Sequence, residues 1–156
     1  MNVHLYKNPR SVVLTIWVVV NAVNLLQAAG FLSRVITADR SINYILGYGI
    51  VALAVPAFLA MVEFMRTKAG WRHWIGPGAF LVFVVFMVIV EYVTQVEFRS
   101  PMRPGILVPY LVLFFGSIFL MGVPMFRINR RLWLVTAATT VLLLGAMGFA
   151  MSRGVG

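Results

Sequence analysis

Cysteine is absent from the chain, which excludes disulfides, thiolate nucleophiles, iron–sulfur ligation and cysteine-based zinc sites. Acidic residues are almost absent as well: Asp39, Glu63, Glu91 and Glu97 are the only four in 156 residues. Charged residues make up 11% of the chain, against about 25% in soluble domains, too few to cover a globule in water. Histidine occurs twice, at His4 and His73, and both lie outside the apolar runs. Paired axial ligation of a haem inside a bundle therefore has no support, and Glu63 would be the only third ligand for zinc. No cofactor and no metal is implied. Also missing are a glycine-rich phosphate loop, a serine–histidine–carboxylate set, paired aspartates for intramembrane proteolysis, and an internal repeat of the kind that marks inverted-repeat transporters. No catalytic residue is assigned, and enzymatic activity is the less favoured class.

What the chain does contain is apolar surface: 62% of its residues are hydrophobic, with a mean hydropathy of +0.95. At about 20 residues per bilayer crossing, the apolar runs fill five spans, about 11–33, 42–65, 75–96, 106–126 and 132–151. The predicted fold is an all-α integral membrane protein, a five-transmembrane-helix bundle forming a single transmembrane domain over residues 1–156. Short connections make sequential helices antiparallel neighbours, and the absence of period-two alternation argues against a barrel. The charged N-terminus resembles the start of a signal peptide. Its apolar run, however, exceeds the ~7 to 15 residues of such a segment, so it reads as an uncleaved first span.

The net charge of +9 comes from 13 lysines and arginines placed almost wholly between the spans, where they set topology and meet lipid headgroups. The lipid bilayer, not nucleic acid, is the implied partner. Lys7, Arg10, Arg66, Lys68, Arg72, Arg127, Arg130 and Arg131 fall on one side, eight against the five at Arg34, Arg40, Arg99, Arg103 and Arg153. The positive-inside rule then predicts a multi-pass protein of the plasma (inner) membrane with its N-terminus cytoplasmic and its C-terminus outside. Trp71, Trp74 and Trp133 lie beside the richer side, as interfacial anchors do.

Against this apolar background the polar residues inside spans stand out. Glu91 follows the run Phe80 to Val90, which holds no other ionisable group. A carboxylate at such depth costs about 2.5–3.5 kcal/mol on insertion scales unless it finds polar company. Gln95 lies four residues on, on the same face if the helix is regular. In the first span Asn21, Asn24 and Gln27 recur every third residue and form a stripe within an arc of about 120 degrees. By depth, Asn24, Gln27, Tyr48, Glu91, Gln95 and Tyr110 converge in the outer half and are the candidate ligand-binding residues. Arg99 and Arg103, at the outer mouth, are candidates for binding an anionic headgroup. For the asparagines the competing reading is interhelical hydrogen bonding, worth ~0.6 kcal/mol on average in membranes. Glu63 has Arg66 at i+3 and reads as a helical ion pair.

Three functions compete. One is binding or transport of a small polar, cationic or amphipathic ligand, with Glu91 as counter-charge or proton carrier. The second is a noncatalytic subunit packed against copies of itself or within a larger membrane complex. The third is a membrane enzyme acting on a lipid or isoprenoid, with Glu91 as acid or base.

Overall fold

The computed structural model describes residues 9–37, 41–96, 98 and 103–154. Among these residues the chain is helical, with no strand. It forms α1 (Pro9–Thr37), α2 (Ser41–Arg66), α3 (Gly70–Met87), α4 (Pro104–Ile128) and α5 (Arg130–Ser152). α3 runs directly into a π-helical segment, Val88–Val93, that completes its length. All five helices are long and apolar enough to cross a membrane. The chain is thus a multi-pass membrane protein built as a helix bundle.

The helices outrun the apolar runs, because helical hydrogen bonding continues past the last apolar residue until a local stop is met. The third helix differs most: predicted over 75–96, it begins at Gly70 and ends at Val93. Its start is set by a Schellman turn that ends α2, in which Ala69 N–H donates to Phe64 O at 2.9 Å and Lys68 N–H to Met65 O at 3.2 Å. Trp71, His73 and Trp74, expected between spans, therefore lie on the first turns of α3. At the α4–α5 joint a single residue does both jobs. Asn129 N–H closes α4 on Met125 O at 2.9 Å, and its side chain accepts from Arg131 N at 2.9 Å to cap α5.

Each helix packs on its sequence neighbours, and α5 returns to α1. Along α2–α3, Met61 meets Gly78 near one end and Tyr44 meets Tyr92 near the other, the inverse order that antiparallel packing requires. An odd number of alternating helices cannot close into a ring without one parallel pair. That pair is α1 and α5: among the described residues the side-chain hydrogen bonds between them join positions 115 to 118 apart, a nearly constant offset.

The tightest seam joins α3 to α4. A methyl placed on Gly76 would fall 2.8 Å from Leu120 C and Met121 N and 2.9 Å from Leu120 O, so only glycine allows this approach. Pro124 has no N–H to offer the Leu120 carbonyl four residues back, and it is the peptide unit carrying that carbonyl that Gly76 approaches. Farther along the seam Phe83 packs on Phe114 and Tyr110, each at 5.2 Å between ring centroids. Val19, Val20 and Val23 of α1 and Phe80, Phe83 and Met87 of α3 form the buried centre with Met121 and Met125 of α4.

Candidate functional site

The polar side chains inside the bundle sort into three seams. The largest group lies between α1 and α5. Asn21 Nδ2 donates to Trp17 O at 2.7 Å and to Thr136 Oγ1 at 3.2 Å, and the Thr139 hydroxyl donates to Asn21 Oδ1 at 2.8 Å. Asn24 Nδ2 donates to Thr139 Oγ1 and Thr140 Oγ1, both at 3.0 Å. Below them Trp17 Nε1 donates to Leu132 O at 2.9 Å. Asn24 is fully buried, and its Oδ1 has no hydrogen-bond partner among the described residues. Thr136, Thr139 and Thr140 recur at helical i, i+3, i+4 spacing, so α5 presents a hydroxyl face that matches the amide face of α1. Chemically this is a clamp across the one parallel pair of helices.

The second group lies between α3 and α4. Glu91 stands within the π-helical segment and is half-buried. The Tyr110 hydroxyl donates to Glu91 Oε1 at 3.0 Å. Tyr110 itself is buried, with the rings of Phe83 and Phe98 each 5.2 Å away and that of Phe86 at 6.4 Å. A phenol anchored in an aromatic box therefore meets the carboxylate. A π-turn inserts an extra residue per turn, and such turns recur at functional sites. This one ends in a wide closure, with Thr94 N–H donating to Ile89 O at 2.8 Å and Val96 N–H to Val90 O at 3.2 Å.

The third group faces α2. The Tyr92 hydroxyl donates to Tyr44 O at 2.9 Å and occupies a notch that only a glycine at position 47 leaves open. The Tyr92 ring is 5.8 Å from Tyr44, edge-on, and 5.0 Å from Tyr48, tilted.

The six candidate ligand residues are thus divided. Glu91 and Tyr110 are brought together. Asn24 is turned to α5, because two threonine hydroxyls there accept from its amide. Gln27 is half-buried on α1 one turn beyond it. Tyr48 is 61% exposed and meets Tyr92 rather than Glu91. Gln95 does not share a face with Glu91, because the helix has ended: Gln95 is exposed with φ +50°, in the left-handed region. Arg103 is exposed at the start of α4, with its N–H donating to Phe98 O at 2.8 Å. Arg99 lies outside the described residues, as do Asp39, Arg40 and Glu97. Among the described residues no three histidine or carboxylate side chains are grouped as metal ligands. Glu63 and Arg66 approach to 4.0 Å.

Sequence reasoning missed Tyr44, Tyr92 and the three threonines. The threonine spacing on α5 was the available signal, since it pairs in period with Asn21 and Asn24. Nothing in the residues marks the π-turn.

Fold and site together define a class: a five-span membrane helix bundle with one half-buried carboxylate–phenol pair and a separate amide–hydroxyl clamp. Comparison with protein-family models, with curated proteins and with solved structures returned no match.

Proposed function

We propose that this protein binds or transports a small polar, cationic or amphipathic ligand, with the Glu91 carboxylate as the counter-charge and Tyr110 holding it in place. The observation that carries this reading is the π-turn, which sets Glu91 half-buried against a fully anchored phenol instead of leaving it to hydrocarbon. Tyr48, whose ring meets Tyr92, and Gln95, past the helix end, are exposed near that end of α3. Asn24 serves the ligand only indirectly, through closure of α1 on α5. The end that carries Arg10, Arg66, Lys68, Arg72, Arg130 and Arg131 faces the cytoplasm, so the N-terminus is inside, the C-terminus outside and Glu91 in the outer half of the plasma (inner) membrane.

The test uses the full chain in detergent with tetraethylammonium, a long-chain alkylammonium and their neutral isosteres, read by thermal shift and by tryptophan fluorescence. The reading expects a cation to stabilise the wild type, its apparent affinity to fall at least tenfold in Glu91→Gln, and the neutral isosteres to do nothing. Equal responses of the wild type and Glu91→Gln would overturn it.

A second reading, the noncatalytic subunit, is favoured by one observation. Gly145 and Gly148 on α5 face open space, and small residues at such positions admit a neighbouring helix. Constant partners co-purifying in mild detergent, lost on Gly148→Leu, would support that reading over the first. An enzyme acting on a lipid or isoprenoid would need Arg99 or Arg103 to hold the anionic headgroup; Arg99 lies outside the described residues and Arg103 is exposed at the start of α4.

A further inference from the structure

The start of α1, the α2–α3 turn and the α4–α5 joint share the end of the bundle opposite Glu91. Arg66, Lys68 and Arg72 crowd the α2–α3 turn, and all three are exposed. The described carboxylate at this turn is Glu63, whose side chain is only 12% exposed and lies 4.0 Å from Arg66. The turn is therefore strongly and locally positive. Two indoles follow within the first two turns of α3: Trp71 is 60% exposed and Trp74 37%. The Arg72 guanidinium lies over the Trp71 ring at 5.7 Å.

Lys68 adds a conformational argument. It holds the residue of the Schellman turn that must be left-handed, at φ +53°, where glycine fits without strain. A lysine there keeps a positive charge at the apex of the turn despite the backbone penalty. The apolar bodies of α2 and α3 continue up to this turn, so its cations and indoles stand at the boundary between hydrocarbon and water, where headgroup phosphates lie. Arginine forks match phosphate oxygens two at a time, lysine adds a point charge, and indoles settle among the glycerol and carbonyl groups beneath.

We infer that the α2–α3 turn is a binding site for the headgroup of an anionic phospholipid, held by Arg66, Lys68 and Arg72 with Trp71 and Trp74 as its apolar floor. The site is independent of the ligand assigned to Glu91 and lies at the other end of α3.

The experiment uses the full chain in a nonionic detergent, titrated with dioleoylphosphatidylglycerol, dioleoylphosphatidylcholine or inorganic phosphate, and counts bound lipid by native mass spectrometry. Phosphatidylglycerol binds at least tenfold more tightly than phosphatidylcholine, and the preference falls as salt rises. In the triple variant Arg66→Gln, Lys68→Gln, Arg72→Gln the preference drops to within twofold of unity. Lys68→Arg keeps the preference and Lys68→Gly, which relieves the turn, lowers it, which separates charge from fold. A double variant at the opposite end, Arg34→Gln with Arg153→Gln, leaves it unchanged. Equal affinity for the two lipids in the wild type, a triple variant as selective as the wild type, or an equal loss from the opposite-end variant would each overturn the inference. Millimolar phosphate displacing the lipid completely would also overturn it, in favour of a free-anion site.

Discussion

Replacing Gly76 by alanine tests the seam that brings Tyr110 to Glu91. The added methyl would meet the Leu120–Met121 peptide at 2.8–2.9 Å, whereas carbon atoms rest at about 3.5–4.0 Å. The obstacle is backbone on a neighbouring helix, which cannot rotate aside, so α3 and α4 must part by about 0.7–1 Å along that stretch. Overpacking of this kind costs about 1–3 kcal/mol. Alanine returns up to about 1 kcal/mol as the better helix former, which leaves a net loss of up to about 2 kcal/mol, and a gap of about 1–3 kcal/mol from a glycine-to-alanine change in open space. Gly148 faces open space, so Gly148→Ala carries only the favourable term. The assay is reversible unfolding in mixed micelles, followed by helical circular dichroism and tryptophan fluorescence. A second comparison links seam and site: if parting the helices weakens the bond from Tyr110 to Glu91, Tyr110→Phe should cost less in the Gly76→Ala background than alone. The reasoning fails if Gly76→Ala is as stable as Gly148→Ala, because no backbone contact would then govern the seam.

Other consequences follow from the remaining seams. Asn21→Leu should lower stability by about 0.6–1.7 kcal/mol, since Asn21 both donates to Thr136 and accepts from Thr139, and a double-mutant cycle with Thr139→Ala should return a coupling of about 0.6 kcal/mol. Gln27→Leu should stay within about 0.5 kcal/mol of wild type; a larger loss would mean that the amide stripe acts as a unit. Gly47→Ala should displace the Tyr92 hydroxyl and cost about 1–2 kcal/mol, while Tyr92→Phe should relieve most of that cost; equal destabilisation in both backgrounds would refute the notch. Lys68→Gly should raise stability by about 1 kcal/mol in the same unfolding assay, and a loss would show that the turn is not strained by its left-handed lysine.

The asparagines and Glu91 show where a residue pattern stops informing. Both were visible as polar intrusions in apolar runs, and interhelical bonding was one reading of Asn21 and Asn24. Their depth was also legible, because helical rise turns residue number into height. Their direction was not. Apart from that amide stripe α1 is apolar on every side, so its sequence does not say which neighbouring helix the stripe meets. The i+4 relation drawn from Glu91 to Gln95 assumed a regular helix, and a widening of the hydrogen-bond ladder by one residue cancels it.

Residue order alone determined that the chain is a stack of membrane-length helices with a strongly cationic set of turns. A span must satisfy its own backbone and match the bilayer with its own residues, and that demand acts run by run. Packing decided everything lateral: that α5 closes on α1 in parallel, that hydroxyls of α5 and not the carboxylate of α3 receive the amides of α1, and that a phenol on α4 meets Glu91. In hydrocarbon one apolar face is as well solvated as another, so helix rotation is set by the few polar groups and close glycine contacts that only the assembled bundle brings within reach.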